Sequence, residues 1–159
     1  MKSLRWRFIR YKNIVYFKGG QQLYGVDLER KNLTTLIENL PCPIVGFDFY
    51  DPNARVMNGP KKYRQLTRGL INNPRLLLLT TDGRIWEYDV DSDGSRLKLN
   101  NNKTKFSSLQ QATWHYICVC SQYIAVSQKD NKGKRAILLL DRIENKLVYT
   151  INLPDGIFN

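Results

Sequence analysis

The sequence has 159 residues, of which 42% are hydrophobic and 25% are charged, and its formal net charge is +11 at pH 7. A chain of this length and composition can fill the core of one ordinary domain, which argues against a largely disordered protein. Its apolar runs fall well short of the ~20 residues that cross a bilayer, so we expect no membrane span and no signal peptide. The positive charge predicts long-range attraction to anionic partners such as RNA or acidic proteins, although the same charge is typical of solvated loops.

Short β-branched and aromatic runs bounded by Gly, Asn, Asp and Pro recur along the chain, and no long stretch keeps a helical apolar spacing. The sequence therefore predicts an all-β protein. In chain order the predicted strands are 6–11, 13–17, 22–28, 33–37, 44–50, 76–80, 84–90, 116–120, 123–127, 136–141 and 147–151. The run Leu76-Leu77-Leu78-Leu79 is apolar throughout, which is typical of a strand covered on both faces. The dipeptides Asp82-Gly83 and Asp93-Gly94 favour tight reversals between antiparallel neighbours.

Three segments of the chain resemble one another. Residues 22–27, 84–89 and 136–141 each form a predicted strand that ends in an aspartate, and a polar turn and another strand follow. The repeat anchors are Asp27, Asp89 and Asp141. A second recurrence, independent of the first, is Asn39-Leu40-Pro41 with Asn152-Leu153-Pro154. Because self-similarity at a fixed period indicates a repeat architecture, we interpret residues 1–159 as one propeller-like unit with blades at 4–38, 43–99 and 107–152.

The segment from Asp82 to Asp89 resembles the Asp-Gly…Trp-Asp hairpin of WD-repeat β-propellers, with Tyr88 where tryptophan is usual. The other two units keep only the aspartate, and the sequence has no Gly-His dipeptide. The resemblance implies antiparallel four-stranded blades and a scaffold for protein complexes. A β-sandwich or an irregular barrel remains an alternative, because its strands also alternate and also turn at Asp-Gly.

Three blades do not close a propeller, since closed propellers contain about four to eight. Sheet edges and faces that closure would cover are then left exposed. We therefore expect completion by other protein subunits, by self-association into a six-bladed ring, or by the rest of a longer protein.

The longest irregular segment, residues 51–75, is rich in basic residues. A loop of this length is typically functional or disordered, and cations beside an aromatic ring suit phosphate contact with stacking. An acidic peptide would fit equally well, and a solvated insertion is the alternative. The candidate partner- or anion-binding residues are Arg55, Lys61, Lys62, Tyr63, Arg64 and Arg68. A second basic group, which we interpret as a flexible tip, consists of Arg96, Lys98, Lys103 and Lys105.

The sequence carries no signature of catalysis or of a cofactor. Its three cysteines form no paired framework and are expected to be buried in a reducing compartment, and the single histidine, His115, cannot complete a metal site. Residues 89–94 resemble the opening of a calcium loop, but the twelfth position is Asn100 rather than the required glutamate. We expect no cofactor, no metal and no enzymatic activity. An enzyme with its site in the channel of a completed propeller is a third alternative.

These observations predict a non-enzymatic protein–protein interaction scaffold, a WD-repeat-like module that docks into a larger complex. The alternative is RNA or ribonucleoprotein binding through the basic loops. The absence of targeting signals and of disulfide pairing predicts an intracellular protein, cytoplasmic or nuclear.

Overall fold

The computed structural model describes residues 8–50, 74–100, 104–105, 113–119, 123–141, 144 and 146–154. In these ranges the chain folds into three antiparallel sheets. The first sheet contains β1 (Ile9–Tyr11), β2 (Ile14–Gly19), β3 (Gln22–Asp27) and β4 (Asn32–Ile37). The second contains β5 (Ile44–Tyr50), β6 (Arg75–Thr80), β7 (Arg84–Val90), β8 (Leu97–Leu99) and β9 (Thr104–Lys105). The third contains β10 (Thr113–Val119), β11 (Tyr123–Lys129), β12 (Arg135–Asp141) and β13 (Lys146–Asn152).

Each sheet is a meander in which strands that follow one another in sequence are hydrogen-bonded neighbours, except that β9 pairs with β7 rather than with β8. Each of the eleven predicted strands coincides with an observed strand over its described residues, apart from shifts at the ends, and residues 6, 7 and 120 of the predictions lie outside the described residues. The described segments contain no helix long and apolar enough to span a bilayer.

The second basic group is described only in part: Lys98 lies in β8 and Lys105 in β9, whereas Lys103 lies outside the described residues, so a flexible tip stays a prediction for 101–103. Strands β8 and β9 both pair with β7, so together they act as an interrupted fourth strand of the second sheet. Between them the Asn100 amide donates to the Glu87 carbonyl oxygen at 2.8 Å. Because β7 would otherwise present unpaired backbone groups, pairing overrides the weak strand propensity of a Lys- and Asn-rich segment.

The second sheet lies between the other two and is buried on both faces. Its strand β6 shows why: Leu76 and Leu78 pack in a core shared with the first sheet, whereas Leu77 and Leu79 pack in a core shared with the third. Alternate residues of a strand point to opposite faces, so a continuous apolar run serves both cores. The prediction that Leu76 to Leu79 form a strand covered on both faces is confirmed.

A turn of the second sheet fixes its position on the first sheet. The buried Tyr16 side chain donates its hydroxyl proton to the Gly94 carbonyl oxygen, and Lys12 donates to the Ser92 carbonyl oxygen. Burial, together with the nearby charge of Asp91, raises the pKa of Tyr16 above its ordinary value, so the phenol stays protonated and remains a donor. The first and second sheets are therefore joined by polar contacts as well as by their apolar core.

A single carboxylate contributes to the junction between the second and third sheets. Asp48 on β5 accepts a hydrogen bond from the Val119 amide of β10 at 2.9 Å. The same side chain accepts from the Phe49 amide at 3.0 Å. Since a backbone donor at the end of a strand needs an acceptor, Asp48 ties β5 of the second sheet to β10 of the third.

A hydrogen-bond chain lies inside the β6–β7 hairpin. The Trp86 indole N–H donates to the Thr80 hydroxyl at 3.1 Å, and that hydroxyl donates to Asp82 at 2.5 Å. The Arg84 amide also donates to Asp82, at 3.2 Å. Burial opposes ionisation of Asp82, but the hydrogen bonds from Thr80 and Arg84 and the Arg84 charge outweigh it and hold its pKa below the ordinary value.

Replacing Thr80 with valine is expected to lower the free energy of unfolding by about 1 to 3 kcal/mol, because it removes a fully buried hydroxyl that serves a donor and an acceptor. Urea denaturation measures the loss. The matched control is Thr34→Val, at an exposed strand position, with an expected change within about 0.5 kcal/mol.

The lowered pKa of Asp82 means that its ionised form stabilises the fold above the unfolded-state pKa, and this contribution disappears as pH falls through the folded-state pKa. The difference in the free energy of unfolding between Thr80→Val and wild type should therefore shrink in acid. Equal losses in Thr80→Val and Thr34→Val would contradict the role of the Thr80 hydroxyl.

Candidate interaction surfaces

The face of the third sheet that points away from the second sheet is apolar. Residues paired across neighbouring strands share a face, and here two cross-strand rows run over all four strands. One row is Tyr116, Ser127, Ile137 and Ile151, and the other is Cys118, Ala125, Leu139 and Tyr149. Tyr149 is 63% exposed, Tyr116 52% and Ile151 47%. We call these two rows the third-sheet outer face.

The first sheet shows the same arrangement on its side away from the second sheet. One row is Arg10, Val15, Val26 and Leu33, and the other is Phe8, Phe17, Tyr24 and Thr35, with Phe8 placed by its ring contact to Phe17. The Phe17 and Tyr24 rings stack with centroids 5.4 Å apart. Leu33 is 61% exposed and Phe8 is 59% exposed. We call these two rows the first-sheet outer face.

Neither outer face is covered by another of the described sheets. Large exposed side chains that lie side by side, rather than scattered, mark surfaces that bind another molecule. Charged pairs flank the third-sheet outer face, since Lys129 lies opposite Arg135 and Lys146 lies opposite Asp141. An apolar centre with a charged rim is the composition of a protein–protein interface.

The basic residues singled out from the sequence lie outside the described residues. Arg55, Lys61, Lys62, Tyr63, Arg64 and Arg68 all belong to 51–73, so their role stays a prediction. The loop is shorter than expected at its far end, because Pro74 is buried and Arg75 begins β6. Arg75 forms ion pairs with Glu87 at 3.4 Å and with Asp89 at 3.2 Å.

The three repeat anchors occupy the same place in their sheets but do not make the same contacts. Asp27 accepts hydrogen bonds from the Glu29 and Arg30 amides, and Asp141 accepts one from the Glu144 amide, so both cap the turn after their strand. Asp89 instead pairs with Arg75. In the second sheet the strand runs one residue further, and Asp91 caps the turn by accepting from the Arg96 amide at 3.1 Å.

The predicted burial of the thiols is wrong for Cys118. The residue is exposed on the third-sheet outer face, whereas Val119 beside it packs in the core. An apolar neighbourhood in the sequence does not determine which of two alternating positions faces inward. Cys42 is half-buried, and Cys120 and the side chain of His115 lie outside the described residues.

The segment that resembles a calcium loop forms a hydrogen-bonded turn. Asp93 accepts from the hydroxyl and the amide of Ser95, and these bonds lower its pKa to about 2. Among the residues that the structure describes, no group of three or more His, Cys, Asp or Glu side chains could hold a metal ion. Gly94 is buried against Tyr11 and Tyr16, so this turn makes the contact between the first two sheets.

Comparisons with known proteins add evidence on the fold alone. No protein-family model matches the chain, and no curated protein matches it. Among solved structures, the chain is similar to the N-terminal domain of Nup159, a β-propeller, with a TM-score of 0.58 and 10% identity over 94% of this chain and 37% of that one. The second similarity is to a chain in the S. cerevisiae complex of a Dbp5 variant with Nup159, a Gle1 variant, IP6 and ADP. Its TM-score is also 0.58, with 10% identity over 92% of this chain and 36% of that one.

Four-stranded antiparallel sheets stacked face to face, with this structural similarity, decide the architecture. The fold is a partial β-propeller. The sheets are its blades, and we number them 1 to 3 in chain order. A β-sandwich is ruled out, because its two sheets enclose one core, whereas blade 2 contributes to two separate cores. A single irregular barrel is ruled out as well, because the strands form three separate sheets. The chain spans little more than a third of each of the two chains that it resembles.

The apolar residues of the outer faces were not singled out from the sequence, although a signal exists. Residues 136–140 read Ala-Ile-Leu-Leu-Leu, as continuously apolar as Leu76 to Leu79. Such a run indicates burial on both faces. In blade 3 only one of those faces is covered by a described blade, so the run marks a surface that a partner would cover.

Proposed function

We propose that this chain is a non-enzymatic protein–protein interaction module that works inside a larger assembly. The observation that carries the proposal is the pair of apolar outer faces at the two ends of the blade stack. A blade normally has both faces covered by its neighbours, as blade 2 does here. Because exposed aromatic and aliphatic side chains are costly in water, the outer faces favour a protein partner.

The structural similarities are consistent with this proposal. One similar chain belongs to a complex that contains Dbp5, Nup159 and Gle1. We extend the WD-repeat resemblance of the Asp82 to Asp89 hairpin to the same proposal, since the Trp86–Thr80–Asp82 chain gives that hairpin an internal hydrogen-bond network. We further propose that the chain acts within the cell, in the cytoplasm or nucleus.

The proposal is tested by affinity capture from an extract of the source cells, with the full chain as bait. The outer-face variant carries Leu33→Glu and Tyr149→Glu, two strongly exposed positions where a charge leaves the core intact. The matched control is Leu99→Glu, an exposed leucine on the outer strand of blade 2. We expect wild type and Leu99→Glu to retain the same proteins and the outer-face variant to lose them. Identical retention by all three baits would show that the outer faces bind nothing.

RNA binding is the second candidate, and the net charge of +11 favours it. In this case the contacts would be made by the basic segment that contains Arg55 to Arg68. The same capture experiment separates the two candidates if one extract is treated with ribonuclease. Retention that survives ribonuclease and is lost in the outer-face variant supports the protein interface, whereas retention that ribonuclease abolishes and that falls steeply with salt supports RNA.

A further inference from the structure

We propose that the partner of the outer faces is a second copy of this chain, and that two copies close head to tail into one six-bladed propeller. This inference rests on the proposed interaction function and names its partner. In the ring, the third-sheet outer face of each copy packs on the first-sheet outer face of the other. The two contacts are equivalent by two-fold symmetry, so the assembly closes without leaving a blade uncovered.

The internal repeat shows that the two outer faces are complementary halves of one kind of junction. At the junction of blades 1 and 2, Leu23 comes from blade 1, and Trp86 and Tyr88 come from blade 2. At the junction of blades 2 and 3, the corresponding positions are Ile85 on one side and Leu138 with Leu140 on the other.

The two uncovered surfaces continue the same series. Ile137 of blade 3 corresponds in the repeat to Leu23 and Ile85, and it lies on the third-sheet outer face. Tyr24 and Val26 of blade 1 correspond to Trp86 and Tyr88, and they lie on the first-sheet outer face. A third junction of the same kind would therefore join blade 3 of one copy to blade 1 of another.

The area of the faces favours a closed ring over a dimer with one contact. Four strands spaced about 4.8 Å apart and about 23 Å long give a face of roughly 440 Å². A stable interface buries about 800 Å² on each partner. A ring buries two such faces on each copy, which is twice the area that a dimer with a single contact would bury. Six blades also lie within the range of about four to eight that propellers use.

The charge of the chain predicts how the ring responds to salt. Each copy carries +11, so the two copies repel each other while their apolar faces attract. Salt screens the repulsion and strengthens apolar association, so dimerisation should increase with ionic strength. An acidic partner would behave in the opposite way, because salt would screen an attraction.

Sedimentation equilibrium of the purified full chain tests the ring. We expect a species of two 18.6 kDa chains, 37.2 kDa in total, whose population rises with salt. Leu33→Glu on the first-sheet outer face and Tyr149→Glu on the third-sheet outer face should each abolish it, because every contact of a homodimeric ring uses both faces. Leu99→Glu should retain it. Each substitution lowers the positive charge, so loss of the dimer cannot be attributed to added repulsion. Circular dichroism establishes that each variant is folded.

A mixture of the two variants separates the head-to-tail ring from other dimers. Leu33→Glu supplies an intact third-sheet outer face and Tyr149→Glu an intact first-sheet outer face, so the mixture keeps one of the two contacts of the ring. We expect it to dimerise more weakly than wild type but more strongly than either variant alone. If Leu33→Glu alone remains a dimer, the contact joins like faces and the ring is wrong. A wild-type monomer at all salt concentrations also overturns the ring. The interaction function then stands if extract proteins still bind the outer faces, and it fails too if nothing binds them.

Discussion

Replacing Gly94 with alanine is expected to lower the free energy of unfolding by about 2 to 5 kcal/mol. Gly94 has φ = 81°, a conformation that costs an alanine about 1 to 2 kcal/mol. An added Cβ would also lie 2.7 Å from the Tyr16 hydroxyl oxygen and 2.8 Å from Cδ1 of Tyr11. Tyr16 is fully buried and has no room to retreat, so the turn would have to move away from blade 1. Urea denaturation followed by circular dichroism measures the change.

The matched control for Gly94 is Gly133→Ala. Gly133 has nearly the same φ, 82°, but the nearest atom to an added Cβ is Cε of Lys129, at 3.9 Å. This variant pays only the backbone cost, about 1 to 2 kcal/mol. The excess loss in Gly94→Ala therefore measures the contact between the blade 2 turn and blade 1. Equal losses in the two variants would mean that the contact contributes nothing to stability.

Leu77→Ala and Leu78→Ala are each expected to cost about 2 to 5 kcal/mol, the range for a leucine truncated in a packed core. The two residues are neighbours in sequence, and both are buried, but they lie in different cores. Native-state hydrogen exchange should therefore report different effects. Leu77→Ala should speed exchange mainly in blade 3, and Leu78→Ala mainly in blade 1.

The control for the leucine pair is Leu28→Ala, in an exposed turn, with an expected change within about 0.5 kcal/mol. If Leu77→Ala and Leu78→Ala loosened the same strands to the same extent, blade 2 would not separate two cores. The result would contradict a stack in which the central blade is covered on both faces.

The strands were predictable because the local signals agreed with the final fold. Alternating or continuous apolar runs and Asp-Gly turns determine where an antiparallel hairpin begins and ends, so residues 44–50 and 84–90 were predicted with the observed bounds. The repeat predicted a further strand after residues 84–89, but not its bounds or its division into β8 and β9, because this pairing depends on the neighbouring edge of β7 rather than on the side chains of the segment itself.

The sequence predicted that uncovered faces exist, but not which residues lie on them. Three blades imply two uncovered outer faces, yet the side of the sheet on which Cys118 or Tyr149 lies follows from the register of each strand pair. For Asp89, too, the sequence predicted the position but not the contacts. Its place at the end of a repeated strand was visible, but its pairing with Arg75 and the transfer of turn capping to Asp91 depend on one extra residue in β7.

The all-β class, the three repeats and the two-sided burial of β6 all follow from the amino-acid sequence alone, because side-chain periodicity and turn chemistry are local properties. The tertiary structure decided that the repeats stack with blade 2 in the centre and that the segment resembling a calcium loop holds blade 1 through Gly94 and Tyr16. It also decided which apolar residues are left at the two ends of the stack. These features depend on contacts between residues far apart in the chain, such as Tyr16 with Gly94 and Asp48 with Val119, and no local pattern specifies them.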